Sequence, residues 1–226
     1  MLYSKHMINQ DNPSTEPLAL FGGTFDPVHY GHLRCADEAR EKLGLKNLYL
    51  LPAGTPPHRA SPQTTTRQRL DMLRLAQADY PSLKIDERET RREGPSYMVE
   101  TLQELRAEFP QRPLLLLIGQ DAANLLHTWF HWQQLFSLTH IVILTRPSIK
   151  MEYRQDVAEQ IQRRLHVDAQ KLLHSQAEGV LQLEVTSIDV SATNIKKFIS
   201  QGRSLHSMMP PAVIDYINKN HLYIPA

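Results

Sequence analysis

The stretch Leu18-Ala19-Leu20-Phe21-Gly22-Gly23-Thr24-Phe25-Asp26-Pro27-Val28-His29-Tyr30-Gly31-His32 decides how the rest of the chain is read. It opens with a short apolar run closed by two adjacent glycines, the pattern of a buried parallel strand that stops at a tight turn. From His32 onward, Leu33, Ala36, Ala39 and Leu43 recur at helical spacing, and Gly44 follows as a candidate C-cap. The turn between strand and helix has neither the GxxxxGK[ST] nor the GxGxxG phosphate fingerprint, yet it sits where both occur. Its glycines let the backbone approach a ligand and expose N–H groups. Asp26-Pro27 forces a turn. His29 and His32, three residues apart, share one face in a helical turn and flank a helix N-terminus, whose partial positive charge favours phosphate. Two imidazoles and backbone donors at such a place suit a phosphate that gains charge on oxygen as it reacts. The pair alone leaves open that both are ordinary turn and helix residues. A dinuclear metal site would need carboxylates beyond Asp26.

Outward from that stretch, the spacing predicts strands over 48–51, 83–85, 114–118 (closed by Gly119), 140–145 and 181–185. Helices are predicted over 67–78, 96–109 (capped by Ser96), 156–173, 193–200 and 211–220. Leu70, Leu73 and Leu75 mark the face of the helix at 67–78. Residues 53–66 form a long proline-bearing loop, a length that often carries function. The mixed-charge run Asp86 to Glu93 reads as solvated surface. Strand–helix alternation of this kind implies an α/β fold: a Rossmann-like, doubly wound parallel sheet, with a small C-terminal helical part. Residues 18–226 are expected to form one domain and residues 1–17 a loose leader. Ligands of such sheets bind at the carboxyl ends of the strands near the switch in strand order, which points to Gly22-Gly23 and to Gly119.

Composition narrows the function classes. The chain has 226 residues, 41% hydrophobic and 22% charged, with a formal net charge of +1. No broad nucleic-acid-binding face is expected from that balance. The single cysteine, Cys35, allows neither an intrachain disulfide nor a multi-cysteine zinc site, and it is read as packing. His127 and His131 lack the Glu of an HExxH zinc site, so no protein-held metal is expected. No apolar run is long enough to cross a bilayer and the first residues lack a signal core, so a soluble, cytoplasmic protein without membrane partners is expected. Oligomeric state cannot be read from these residues.

Gly-Gly-Thr-Phe-Asp-Pro-x-His-x-Gly-His, residues 22–32, resembles the N-terminal signature of the nucleotidylyltransferases, in its fuller form that of the bacterial nicotinate-mononucleotide adenylyltransferases. Val190-Ser191-Ala192-Thr193-Asn194-Ile195-Lys196-Lys197 is similar to the family's second motif, which holds the ATP phosphates. There Ser191 is also a plausible N-cap, and Lys196 stands where the family usually has Arg, keeping the charge but losing the planar fork. The resemblance extends over roughly Leu18 to Tyr223. It implies ATP, with Mg²⁺ carried mainly by phosphates and water, and nicotinate mononucleotide as partners. It implies that His29 and His32 are catalytic and that Gly22, Gly23, Thr24, Phe25, Gly119, Asp121, Ser191, Thr193 and Lys196 join them in binding ATP. Thr55, His58 and Arg59 resemble a substrate-phosphate segment. Ser96, Tyr97 and Met98 resemble a Pro-Ser-Tyr-Thr element that meets the nicotinate carboxylate, with Met98 in place of Thr. Trp129 would stack on the pyridine ring, and Arg146 matches an arginine near the substrate. Transfer to another acceptor (the amidated mononucleotide or phosphopantetheine), a catalytically silent nucleotide sensor, and a metal-dependent hydrolase remain as alternatives.

Overall fold

A computed structural model describes residues 16–55, 62–147, 149–166 and 168–224. The expected leader lies, except for Glu16 and Pro17, outside the described residues. In chain order the elements begin with β1 (Leu18–Gly23), α1 (Tyr30–Lys42), β2 (Leu48–Pro52), α2 (Thr66–Gln77), β3 (Leu83–Ile85), α3 (Arg88–Arg91) and α4 (Met98–Glu108). Next come β4 (Leu114–Gly119), α5 (Gln120–Asn124), a 3₁₀ turn (Leu126–Thr128), α6 (Trp132–Leu138) and β5 (His140–Thr145). The chain continues with α7 (Gln155–Arg164), β6 (Leu165–His166), α8 (Ala169–Leu172), β7 (Val180–Glu184), α9 (Ala192–Ser200) and α10 (Pro211–Lys219).

The strands form one parallel sheet in the order β3-β2-β1-β4-β5-β7-β6. From β1 the chain winds outward through β2 to β3, then returns to start β4 on the other side of β1. The switch in order therefore lies between the carboxyl ends of β1 and β4, at Gly22-Gly23 and Gly119, as the sequence predicts.

Period-two alternation along each strand splits the core in two. Ala19, Phe21, Leu115, Leu117, Val142 and Leu144 face a layer built from α1, α2, α9 and α10. Leu18, Leu20, Leu114, Leu116, Ile141 and Ile143 face α4, α6 and α7. Both faces are covered, which is why the central strands read as unbroken apolar runs rather than alternating ones. Gly44 takes φ +66° just after α1, the left-handed residue that closes the helix.

Four expectations are corrected. The helix predicted over 156–173 breaks into α7, β6 and α8: α7 ends at Arg164, and Leu165 and His166 turn out to pair with Val180 and Leu181 at the margin of the sheet. Asp168 instead caps α8, accepting from the Gln170 N–H at 2.9 Å. Ser96 does not cap α4; Tyr97 holds that position, and Ser96 Oγ accepts the Gly54 N–H at 3.0 Å. Leu75 is exposed, because α2 buries Arg69, Met72, Leu73 and Ala76 instead. The run from Asp86 to Glu93 is not solvated throughout: Asp86, Arg88 and Glu89 are buried. Its mixed signs let the charges satisfy one another, with Arg88 Nε donating to Asp86 at 2.7 Å and its terminal nitrogens reaching Glu108 at 3.2 and 3.3 Å.

Candidate active site

The turn after β1 is built by its own side chains. Phe25 adopts φ +50°, unusual for a residue with a Cβ, and its ring folds back over Gly23, where any Cβ would stand 2.9 Å from the ring. The Phe25 ring also meets His32 edge-on at 5.1 Å. His29 is the N-cap residue of α1, and its ring stacks on that of His32 with centroids 3.7 Å apart. Gly31 makes room for this: a Cβ there would stand 2.9 Å from the His29 ring and 3.1 Å from the Val190 carbonyl. The same clearance shows that the segment leading into α9 lies directly against the start of α1. The N-terminus of α9 therefore starts beside that of α1. Ser191 caps α9 as expected, its hydroxyl accepting the Asn194 N–H at 3.2 Å.

His29 is 6% exposed. Burial, reinforced by the positive charge of Arg146, pushes its imidazole down to about 4. It is neutral near pH 7 rather than a resident cation, and its Nδ1 is buried without a hydrogen-bond partner among the described residues. Cys35 is buried one turn along α1, and burial pushes its thiol up, which agrees with a packing role.

Asp26 lies at the centre of a set of donors that its reading as a turn former did not foresee. One carboxylate oxygen accepts Thr64 Oγ1 at 2.5 Å and the Tyr223 hydroxyl at 2.7 Å; the other accepts Lys196 Nζ at 2.6 Å and the Gln63 N–H at 3.2 Å. Burial alone would push this carboxyl up, but Lys196 and the two hydroxyls outweigh it and hold it below the usual range. Arg69 was missed as well. It is 1% exposed, and its guanidinium donates to the carbonyls of Thr24 (2.9 Å), Ala53 (2.6 Å) and Gly54 (2.6 Å), joining the turn after β1 to the loop after β2. Its place at the head of the buried i, i+3, i+4, i+7 series of α2 was the available signal.

At the switch point a cavity of about 210 Å³ opens between the carboxyl ends of β1 and β4. Nine of the residues singled out from the sequence line it: Gly22, Gly23, Thr24, Ser96, Tyr97, Met98, Gly119, Asp121 and Trp129. Glu89 and Phe130 line it too, and neither was foreseen. The Glu89 carboxyl accepts Thr101 Oγ1 at 2.7 Å and is pushed up to about 7 by burial. Tyr97 and Phe130 meet with ring centroids 4.5 Å apart, so one wall is aromatic. Phe25, His29, His32, Arg146, Ser191, Thr193 and Lys196 do not line the cavity. Thr55 is exposed, and its carbonyl accepts the Ser96 N–H at 2.9 Å. His58 and Arg59 lie outside the described residues. Among the described residues no group of three or more His, Cys, Asp or Glu is gathered, and no helix is long and apolar enough to cross a membrane.

A glycine turn and a helix N-terminus at the switch of a parallel sheet, with a second helix N-terminus against the first, define a nucleotide-handling α/β protein of the cytidylyltransferase-like class, and residues 20–198 match the family of that description. The chain is 42% identical over 213 residues to a "Probable nicotinate-nucleotide adenylyltransferase" of Dechloromonas aromatica, covering 92% of this chain and 98% of that one. It is 43% identical to the protein of the same name from Methylococcus capsulatus, with 91% and 99% covered. The fold is similar to that of the Plasmodium falciparum nicotinic acid mononucleotide adenylyltransferase complexed with NaAD, with a TM-score of 0.69 at 15% identity, covering 92% of this chain and 97% of that one. The chain belongs to the nicotinate-nucleotide adenylyltransferase family.

Proposed function

We propose that the protein transfers the adenylyl group of ATP to nicotinate mononucleotide, giving nicotinate adenine dinucleotide and pyrophosphate. The observation that carries this reading is the cavity at the switch point. It joins the phosphate-binding turn Gly22-Gly23-Thr24 to an aromatic wall and to the first turn of α4, whose N–H groups suit a carboxylate. Trp129 and Tyr97 give a flat pyridine ring a stacking surface. Since backbone N–H groups at a helix start serve a carboxylate whatever the side chain, Met98 is compatible with the acid substrate. An amide gains less at a positive helix end, so the acid is the preferred acceptor.

The acceptor's own phosphate is the nucleophile. It is already anionic near pH 7, so no protein base is needed. One of its oxygens forms a bond to the α-phosphorus of ATP while the bond from that phosphorus to the bridging oxygen breaks and pyrophosphate leaves. The protein supplies position and charge complement. His29 and His32, stacked at the start of α1, donate to oxygens of the reacting phosphate; His29 does so as a neutral ring. Ser191, Thr193 and Lys196 at the start of α9 take the other phosphates. Gly119 and Asp121 face the adenosine side, Phe25 keeps His32 in place, and Arg146 adds positive charge beside His29. Thr55, His58 and Arg59 are assigned to the acceptor's phosphate on the sequence alone. Mg²⁺ enters as part of the nucleotide substrate, held by phosphates and water, since Asp26, the acid of the turn, is already engaged by four donors. A cytoplasmic site of action belongs to this reading.

Pyrophosphate release with Mg²⁺-ATP tests it, using nicotinate mononucleotide, its amide, phosphopantetheine and a blank. Fast release with the acid supports the reading. Equal rates with acid and amide remove the specificity, and ATP binding without release from any acceptor replaces the enzyme with a nucleotide sensor.

A further inference from the structure

The cluster around Asp26 draws its groups from four separate parts of the chain. Asp26 arrives from the turn after β1, Gln63 and Thr64 from the segment before α2, Lys196 from α9 and Tyr223 from beyond α10. The Lys196 ammonium stands 2.6 Å from one oxygen of Asp26 and 5.2 Å from the centre of the Tyr223 ring. The Tyr223 and Thr64 hydroxyls both donate to the other oxygen of Asp26, and they lie 3.4 Å from each other. Burial and the neighbouring carboxylate hold the Tyr223 phenol well above its ordinary value, so its proton stays in place as a donor.

We infer that Tyr223 is a positioning residue for the ATP-phosphate site: through Asp26 and its own ring it aims the Lys196 ammonium at the gap between the N-termini of α1 and α9. The inference rests on the reading of Lys196 as a phosphate-binding cation. A lysine ammonium sits five single bonds from its Cα and loses much rotamer freedom when it is fixed. Here the carboxylate and the ring face supply that fixing before any nucleotide arrives. Only one of the three ammonium protons is spent on Asp26, which leaves two for phosphate oxygens. The hydroxyls of Tyr223 and Thr64 draw on the opposite oxygen of the carboxylate, fixing its plane and sharing its charge. Without the Tyr223 hydroxyl, the carboxylate turns toward Lys196 and competes with phosphate for it.

The test is a double-mutant cycle of Tyr223→Phe and Lys196→Met, with Lys196→Gln as a second background if the methionine variant folds poorly. Pyrophosphate release is measured with ATP and acceptor varied separately, and Mg²⁺-ATP affinity is measured by calorimetry with no acceptor present. Tyr223→Phe keeps the ring and removes one charge-assisted hydrogen bond, so kcat/KM for ATP should fall roughly tenfold and Mg²⁺-ATP affinity should fall in step. KM for the acceptor should hold within twofold. In the Lys196→Met background the same change should have less than a twofold effect on either readout. A purely structural tyrosine would cost the same factor in both backgrounds, and that outcome overturns the inference, as does unchanged activity and affinity in Tyr223→Phe alone. The calorimetric cycle needs no acceptor, so it distinguishes failure of this inference from failure of the acceptor assignment.

Discussion

Replacing Arg69 by leucine tests how the two loops around the cavity are held. The side chain is buried on α2, and its guanidinium serves three backbone carbonyls from two loops. In Arg69→Leu the carbonyls of Thr24 and Ala53, both half-buried residues, lose this donor, while Gly54 keeps the Thr66 hydroxyl at 3.3 Å. A carbonyl left without a donor costs about 1–3 kcal/mol at full burial, so these two half-buried ones fall in the lower part of that range. Against this, burial holds the Arg69 guanidinium below its ordinary value, so removing it recovers part of a desolvation cost. The net loss should be about 2–4 kcal/mol, a large share of a domain's stability. Urea unfolding followed by circular dichroism should show a midpoint lower by about 1 M with an unchanged slope, taking a slope of about 2–3 kcal/mol/M. Since Thr24 belongs to the phosphate turn, KM for ATP should rise in the same variant at temperatures where it remains folded. Arg69→Lys, which keeps a cation but offers no fork, should recover only part of both losses. A Leu variant within 1 kcal/mol of the parent, or one with an unchanged KM for ATP, would refute the reasoning and leave the turn held by Phe25 and Gly23 alone.

Acid should weaken the fold through His29. Its folded value of about 4 lies below the ordinary 6.5, so stability present above pH 6.5 is lost as pH falls toward 4, up to about 3 kcal/mol from this group; urea midpoints at pH 5 and 7 should converge in His29→Asn relative to the parent. Gly31→Ala places a methyl 2.9 Å from the His29 ring and 3.1 Å from the Val190 carbonyl, so kcat should drop at least about tenfold, a cost equivalent to a displaced hydrogen-bond donor. A kcat within twofold of the parent would show that His29 tolerates displacement. Trp129→Ala should raise KM for nicotinate mononucleotide by roughly tenfold and leave KM for ATP nearly unchanged, as expected for one lost stacking contact.

Much of this architecture is legible in the sequence because it is written in local patterns. Buried parallel strands appear as apolar runs, and the glycines after β1 and β4 mark the switch point. Ser191 was readable as a cap because N-capping needs only the side chain and the next turn of backbone. The misreadings share a different cause. The run from Asp86 to Glu93 looks solvated because nothing local shows that Arg88 reaches Glu108, 20 residues farther along, or that Glu89 meets Thr101, 12 residues farther along. Ser96 looks like a cap until the loop carrying Gly54 takes its hydroxyl. Asp26 reads as a turn former because three of its donors, from Thr64, Lys196 and Tyr223, lie 38, 170 and 197 residues away. Local chemistry sets the elements; the partners of buried polar groups are decided by which loops the sheet order brings together.

The sheet is broad at its centre and narrow at its margins. β1, β4 and β5 run six residues each, whereas the two outermost strands, β3 and β6, contribute three and two. An outer strand that short offers an incoming chain few unpaired N–H and C=O groups, and on β3 an exposed lysine, Lys84, stands among them. The apolar runs that would be most adhesive, Leu114 to Ile118 and Ile141 to Leu144, are flanked on both sides by other strands. Joining sheet to sheet between molecules would require peeling away a margin first. The short outer strands therefore leave little open edge for strand addition between molecules.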